Sequence, residues 1–333
     1  MKRRKLLVVP LFVLALLALF VVAHAQAPVP IYKLLTTITI PGMGGIDISW
    51  VDPGSQRFYL ADHGAGTGKG QIDVIDTQQM KFLYSVPGLV TGNGVVAIPQ
   101  MNQLYVGDGD STVKVVDLAK QAIVATISTG GRARADELGY DPLDHIILIA
   151  NASDRPPFLT FISADTQKVL GQVAYPSTQI GLEQPVWSKL TQRFYVTVPS
   201  SSVTPGSIDV YNAITMQKEQ SFPVWGCSPA GLAMTPNQHF MTSCGVVVEG
   251  RLGGRVATVF GVGGDEIWYN PGDNRYYIGA AVVDADTNQV IATLPVPAGM
   301  SVRNGSVDSE TNRVFAPATA AGVPAGVMVF AAQ

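Results

Sequence analysis

Apolar and polar residues alternate along short runs, and Gly, Asp, Asn and Pro interrupt the alternation every few positions. DPGSQRFYLAD (52–62), SKLTQRFYVTV (188–198) and NPGDNRYYIGA (270–280) each join a turn to an aromatic, alternating run. MNQLYVGDG (101–109) and ETNRVFAPA (310–318) repeat the pattern. A second set follows downstream in GQIDVIDTQ (70–78), STVKVVDLA (111–119) and GSIDVYNAI (206–214). A third set comprises AIVATISTG (122–130), GRVATVFGV (254–262) and NQVIATLPV (288–296). Period-2 patterning, β-branched residues and turn-forming boundaries predict strands throughout. No stretch carries the 3.6-residue period of an amphipathic helix.

The three sets recur together at a spacing of roughly 40–45 residues with four strands per unit, the spacing of propeller blades. Seven inner strands are expected, starting near Ile46, Gly92, Ala135, Leu182, Pro229, Asp265 and Val302. Only six outer strands follow them, because the chain ends at GVMVFAAQ, which reads as a third strand. The missing copy lies at the other end, where KLLTTITIPG (33–42) matches QVIATLPVPAG in pattern. The expectation is an all-β, seven-bladed β-propeller of four-stranded antiparallel blades. The N-terminal strand would form the outer strand of the last blade and close the ring. Closure removes exposed sheet edges, and a six-blade ring would orphan a strand.

YVGDGDSTVKVVDLAKQAIVATISTG (105–130) resembles the YVTN-type repeat of the cytochrome cd1-like, seven-bladed propellers of exported bacterial proteins. Weaker copies extend over almost the whole chain, and blade 5, whose third strand GVVVEG lacks the usual Asp, departs most. The resemblance implies the fold and implies no shared reaction.

The N-terminus adds a location. MKRRK precedes an apolar run from Leu6 to Val22 and then AHAQA, the three parts of a secretory signal. Cleavage is expected after Ala25, giving a signal peptide at 1–25 and one propeller domain at 26–333. The expected destination is the periplasm or the exterior. The apolar run is shorter than the roughly 20 residues of a span, so no stable membrane span is expected. Charged residues make up 14% of the chain and the net charge is −3. With no basic stripe, nucleic acid is not an expected partner.

The aligned inner strands bring candidate chemistry together. One position reads Asp47, Asn93, Asp136, Glu183, Ala230, Asp265 and Arg303 around the ring. The next reads Ile48, Gly94, Glu137, Gln184, Gly231, Glu266 and Asn304. These are the first residues of inner strands, so they surround the upper mouth of the central channel, the face reached by loops entering each blade. Asp and Asn at strand starts also bond nearby backbone N–H groups, which is a structural account of any one of them. Clustered carboxylates in a half-dry mouth must protonate, pair or bind a cation. Arg303 is expected to clamp Asp265 and Asp47. Asn93, Asp136 and Glu183 are then left on consecutive blades without a basic partner, an all-oxygen set suited to Ca²⁺ or Mg²⁺.

Two functions follow. The first is a binding or scaffold propeller that takes a small molecule or a protein on its upper face and acidic mouth. The alternative is a cation-dependent hydrolase of lactones or small esters, by fold analogy with gluconolactonase-type propellers, with Glu137 or Glu266 as the base. No CxxCH, HExxH or GxSxG occurs. HGAGTGKG (63–70) lacks the first Gly and the last Ser/Thr of a phosphate loop and reads as a connection. His145 and His239 fall in turns on the lower face. Cys227 and Cys244 are the only cysteines, and in an exported chain they are expected to bridge. Trp225, in the loop beside Cys227, is the aromatic expected to bind on the upper face. Trp50, Tyr140, Trp187, Trp268 and Tyr269 are expected to pack between blades.

Overall fold

The computed structural model describes residues 30–333, and the signal peptide expected at 1–25 lies outside them. Seven sheets form in chain order. Blade 1 is Gly45–Asp52, Arg57–Gly64, Gly70–Asp76 and Lys81–Leu89, paired in sequence and antiparallel. Blades 2 to 6 repeat this order, with inner strands Gly92–Ile98, Leu138–Asp141, Pro185–Ser188, Leu232–Met234 and Ile267–Asn270. The 3₁₀ turn Pro99–Met101 is the only helical element among the described residues.

Blade 7 is assembled from both chain ends. Its inner strand is split into Met300–Val302 and Ser306–Asp308, followed by Arg313–Ala320 and Val323–Ala332. Tyr32–Ile38 then pairs antiparallel with the last strand, Leu34 opposite Phe330 and Ile38 opposite Val327. The expected closure by the N-terminal strand is therefore present.

Burial explains the sequence rhythm. Middle strands are covered on both faces and read as apolar runs, such as Ile146–Asn151, buried throughout. Outer strands alternate, as in Ala122–Ser128. Seven apolar clusters fill the seven gaps between blades. The one joining blade 7 to blade 1 contains Ile38, Phe58, Phe315 and Val327, with the Phe58 and Phe315 rings 5.7 Å apart. Every turn from inner to second strand ends on a left-handed residue: Gln56, Asn102, His145, Gln192, Gln238, Asn274 and Asn312. Amide and imidazole side chains tolerate that conformation better than branched ones, so this punctuation sets the register of each blade.

Candidate functional site in the central channel

The paired acids of the mouth have a backbone cause. In blade 3, Asp136 N–H donates to the Ala150 carbonyl while Ala150 N–H donates to the Glu137 carbonyl. In blade 4, Glu183 and Gln184 bracket Thr197 in the same way. Two residues thus oppose one, a bulge that re-aims consecutive side chains. Gly94 and Gly231 occupy the second of these positions in blades 2 and 5. A Cβ on Gly94 would lie 2.1 Å from the Asp136 carbonyl oxygen, and one on Gly231 would lie 2.3 Å from that of Asp265. The next blade's backbone fills the space a side chain would need.

The upper ring is balanced by a residue outside the aligned column. Arg134, in the loop entering blade 3, places Nη2 2.6 Å from Asp136 Oδ2 and Nη1 3.6 Å from Asp47 Oδ2. His63 Nε2 lies 3.3 Å from the same Asp47 oxygen. Arg303 does not make the expected clamp. It is exposed and donates to the Ile46 carbonyl, while Asn304 Nδ2 donates to Asp265 Oδ2 at 3.1 Å. The cause is the break in the blade 7 inner strand, where Asn304 has φ 51° and the chain turns Arg303 outward. The expectation that Asn93, Asp136 and Glu183 lack a basic partner is corrected by Arg134. Asn93 spends its amide on the Thr91 and Ala135 carbonyls, each at 3.2 Å. Among the described residues, no three His, Cys, Asp or Glu side chains converge in a metal-holding group.

Beneath this ring, Glu137 and Glu266 are 4% and 7% exposed and act on each other from blades 3 and 6. Glu137 Oε2 and Glu266 Oε1 are buried without a hydrogen-bond partner, which favours the neutral, protonated carboxyl. Burial pushes both well above the carboxylate range, and on Glu137 the neighbouring Glu266 adds to it. Asp136 is likewise raised, burial outweighing the pull of Arg134. Glu183 is pushed up to about 7 by burial and then by Asp265, against Arg134. Gln184 accepts from the Leu232 N–H of blade 5.

Directly below the second ring the channel opens into a cavity of about 350 Å³. Gln184 belongs to both levels. Trp50, Tyr140, Trp187, Trp268 and Tyr269 line the cavity, three or four residues along their inner strands from the upper ring. Trp50 and Trp268 meet edge to face, centroids 5.3 Å apart and planes at 82°. These aromatics also pack against the clusters between blades, as expected, but their half-exposed faces form channel wall. Trp187 Nε1 and Tyr140 Oη are buried without a hydrogen-bond partner and present no surface to the cavity.

Other acids on the upper face are structural. Asp108 accepts from the N–H groups of Val90, Thr91 and Gly109, and Asp62 and Asp154 hold the loops entering blades 1 and 3 in the same way. Cys227 and Cys244 are bonded, with Cα atoms 5.9 Å apart. Trp225 is 66% exposed and borders an upper-face groove of about 630 Å³ with the 200–206 loop. His145 pairs with Asp165 in a turn, away from the acids.

Fold and channel together define a seven-bladed β-propeller. The chain is similar to hydrazine synthase from Kuenenia stuttgartiensis, with a TM-score of 0.67 and 13% identity over 85% of this chain and 94% of that one. At that identity the likeness is one of fold. No protein-family model matches the chain, and no curated protein matches it.

Proposed function

We propose that the chain is an exported, non-catalytic binding propeller that takes a small molecule in the lower half of its channel. The carrying observation is the cavity itself: about 350 Å³, aromatic-walled, with the Gln184 side chain at its upper edge. Concave, mostly apolar sites with a few convergent polar groups are the usual form of small-molecule pockets. Export rests on the signal-like N-terminus and on the YVTN-type resemblance, whose members are exported.

The upper mouth supports ligand binding less well, because Arg134 and His63 already balance part of its charge and its paired acids are buried. The same balance weighs against Ca²⁺ or Mg²⁺ at Asn93, Asp136 and Glu183. Burial also weighs against a lactone hydrolase, since Glu137 and Glu266 are withdrawn from solvent instead of facing a substrate water. Calorimetric titration with either cation is expected to give no heat, and binding lost in Glu183→Gln would restore the cation reading.

Three of the four tryptophans line the cavity. A charge-diverse panel of small aromatic compounds is therefore expected to contain members that change tryptophan emission and raise the melting temperature. A panel that does neither would refute a channel ligand.

A further inference from the structure

We infer that the channel ligand is a small organic cation, an amine or quaternary ammonium carrying an apolar body. The inference rests on the channel reading above and gives that site its ligand class.

The walls come first. Trp50 and Trp268 stand at a right angle on the side of blades 1 and 6, and Tyr140 and Trp187 line the side of blades 3 and 4. Aromatic faces attract a cation through their quadrupole, Trp most strongly, and more so where water is displaced. Blade 7 lies between blades 6 and 1 and offers only Ser306 at this level, bonded to Ser49, so the two indoles meet across it.

Charge decides between ligands. No Lys, Arg or His is among the lining residues, so an anion would find no counter-charge. The residues just above Leu138 and Ile267, which line the cavity, are Glu137 and Glu266. Beyond them lie Asp47, Asp136, Glu183 and Asp265, whose only guanidinium ion pair among the described residues is with Arg134. Six carboxyls are thus paired with one guanidinium and one imidazole at the upper end of the channel, and the ionised members of such a cluster bias the space below it toward a negative potential. Carboxyls that repel one another there are relieved by a positive charge placed below them.

The cavity volume lies near the lower end for ligand pockets, which limits the body to a small group.

The test compares three soluble probes of similar shape: 2-phenylethylammonium, 2-phenylethanol and 3-phenylpropanoate. Binding is followed by tryptophan emission in the full chain and in Trp225→Phe, which removes the only tryptophan outside the cavity. The ammonium is expected to bind about tenfold tighter than the alcohol. The carboxylate is expected not to bind, and the response should persist in Trp225→Phe. Trp268→Leu should bring the ammonium and alcohol affinities together. If that variant fails to fold, the ordering of the three probes on the unaltered chain still decides. Equal or tighter binding of the alcohol or the carboxylate would overturn the cation and leave the channel site standing. A response that vanishes in Trp225→Phe would move binding to the upper groove and overturn the inference. No response to any probe at millimolar concentration would overturn both the inference and the channel reading.

Discussion

Replacing Glu137 with glutamine should stabilise the protein near neutral pH and do nothing in acid. In the folded chain burial and mutual repulsion raise Glu137 and Glu266 well above the carboxylate range, so protons are held there. In the unfolded chain each glutamate titrates near 4.3. A carboxyl raised on folding binds more protons folded than unfolded, so its contribution is fully present in acid and is lost as pH rises above the unfolded value. The cost accrues at about 1.4 kcal/mol per pH unit, so three units, from about 4.3 to about 7.5, give an upper limit of about 4 kcal/mol. Glutamine is neutral at every pH, matches the carboxyl in shape and donates to Glu266. With an unfolding entropy of about 2 cal/mol/K per residue over roughly 300 residues, 4 kcal/mol corresponds to a rise of about 7 °C. The assay is thermal unfolding by circular dichroism between pH 4.5 and 8.5. The unaltered chain should lose stability as pH rises, with Asp73 (pushed up to about 8 by burial) and Glu183 (about 7) adding to the slope. The Glu137→Gln profile should be flatter and should merge with it in acid. A variant less stable at both ends of the range, with an unchanged slope, would refute the raised carboxyl.

Three further outcomes follow from the same geometry. Arg134→Met should cost about 2 kcal/mol by chemical denaturation, less than a fully buried partner would because its side chain is 39% exposed, whereas Arg303→Met should stay within about 0.5 kcal/mol. Gly94→Ala should destabilise by about 1–3 kcal/mol, since its methyl would overlap the Asp136 carbonyl, and an unchanged melting temperature would show that the blade 3 strand can yield. Cys244→Ala should cost about 3 kcal/mol without reductant and nothing relative to the reduced chain, as the bridge closes a separation of 17 residues.

The blades and their closure were legible because each blade repeats one burial rhythm, so errors in any one copy are outvoted by the others. The acids of the mouth were legible for the same reason: Asp47, Asp136, Glu183 and Asp265 share one register. Arg134 and His63 were not, because they lie in or beside loops, where length varies between blades and no column forms. Arg134 sits only two residues before Asp136, and an Arg-x-Asp pair at a strand entry was the available signal. Arg303 misled because the column assumes an unbroken strand, and blade 7 breaks beside it. The aromatic wall was hidden by a different ambiguity. Trp50, Trp187 and Trp268 each touch a cluster between blades and the channel, and an alternating pattern reports burial without saying which empty space lies on the other side.

The joint between Tyr32–Ile38 and Val323–Ala332 sets a timetable for the newborn chain. Leu34 pairs with Phe330, almost the full length of the polypeptide away. While the chain leaves the ribosome its first strand has no sheet to join, and six blades can be complete before it finds one. The ring shuts only once Val323–Ala332 is available, when Tyr32–Ile38 pairs with it and Gln333 donates to the Ile31 carbonyl at 2.8 Å. A contact this remote in sequence is slow to form, because its loop-closure entropy must be met before the pairing offsets it. That delay keeps the ring open until late and makes docking of Tyr32–Ile38 the final act of assembly.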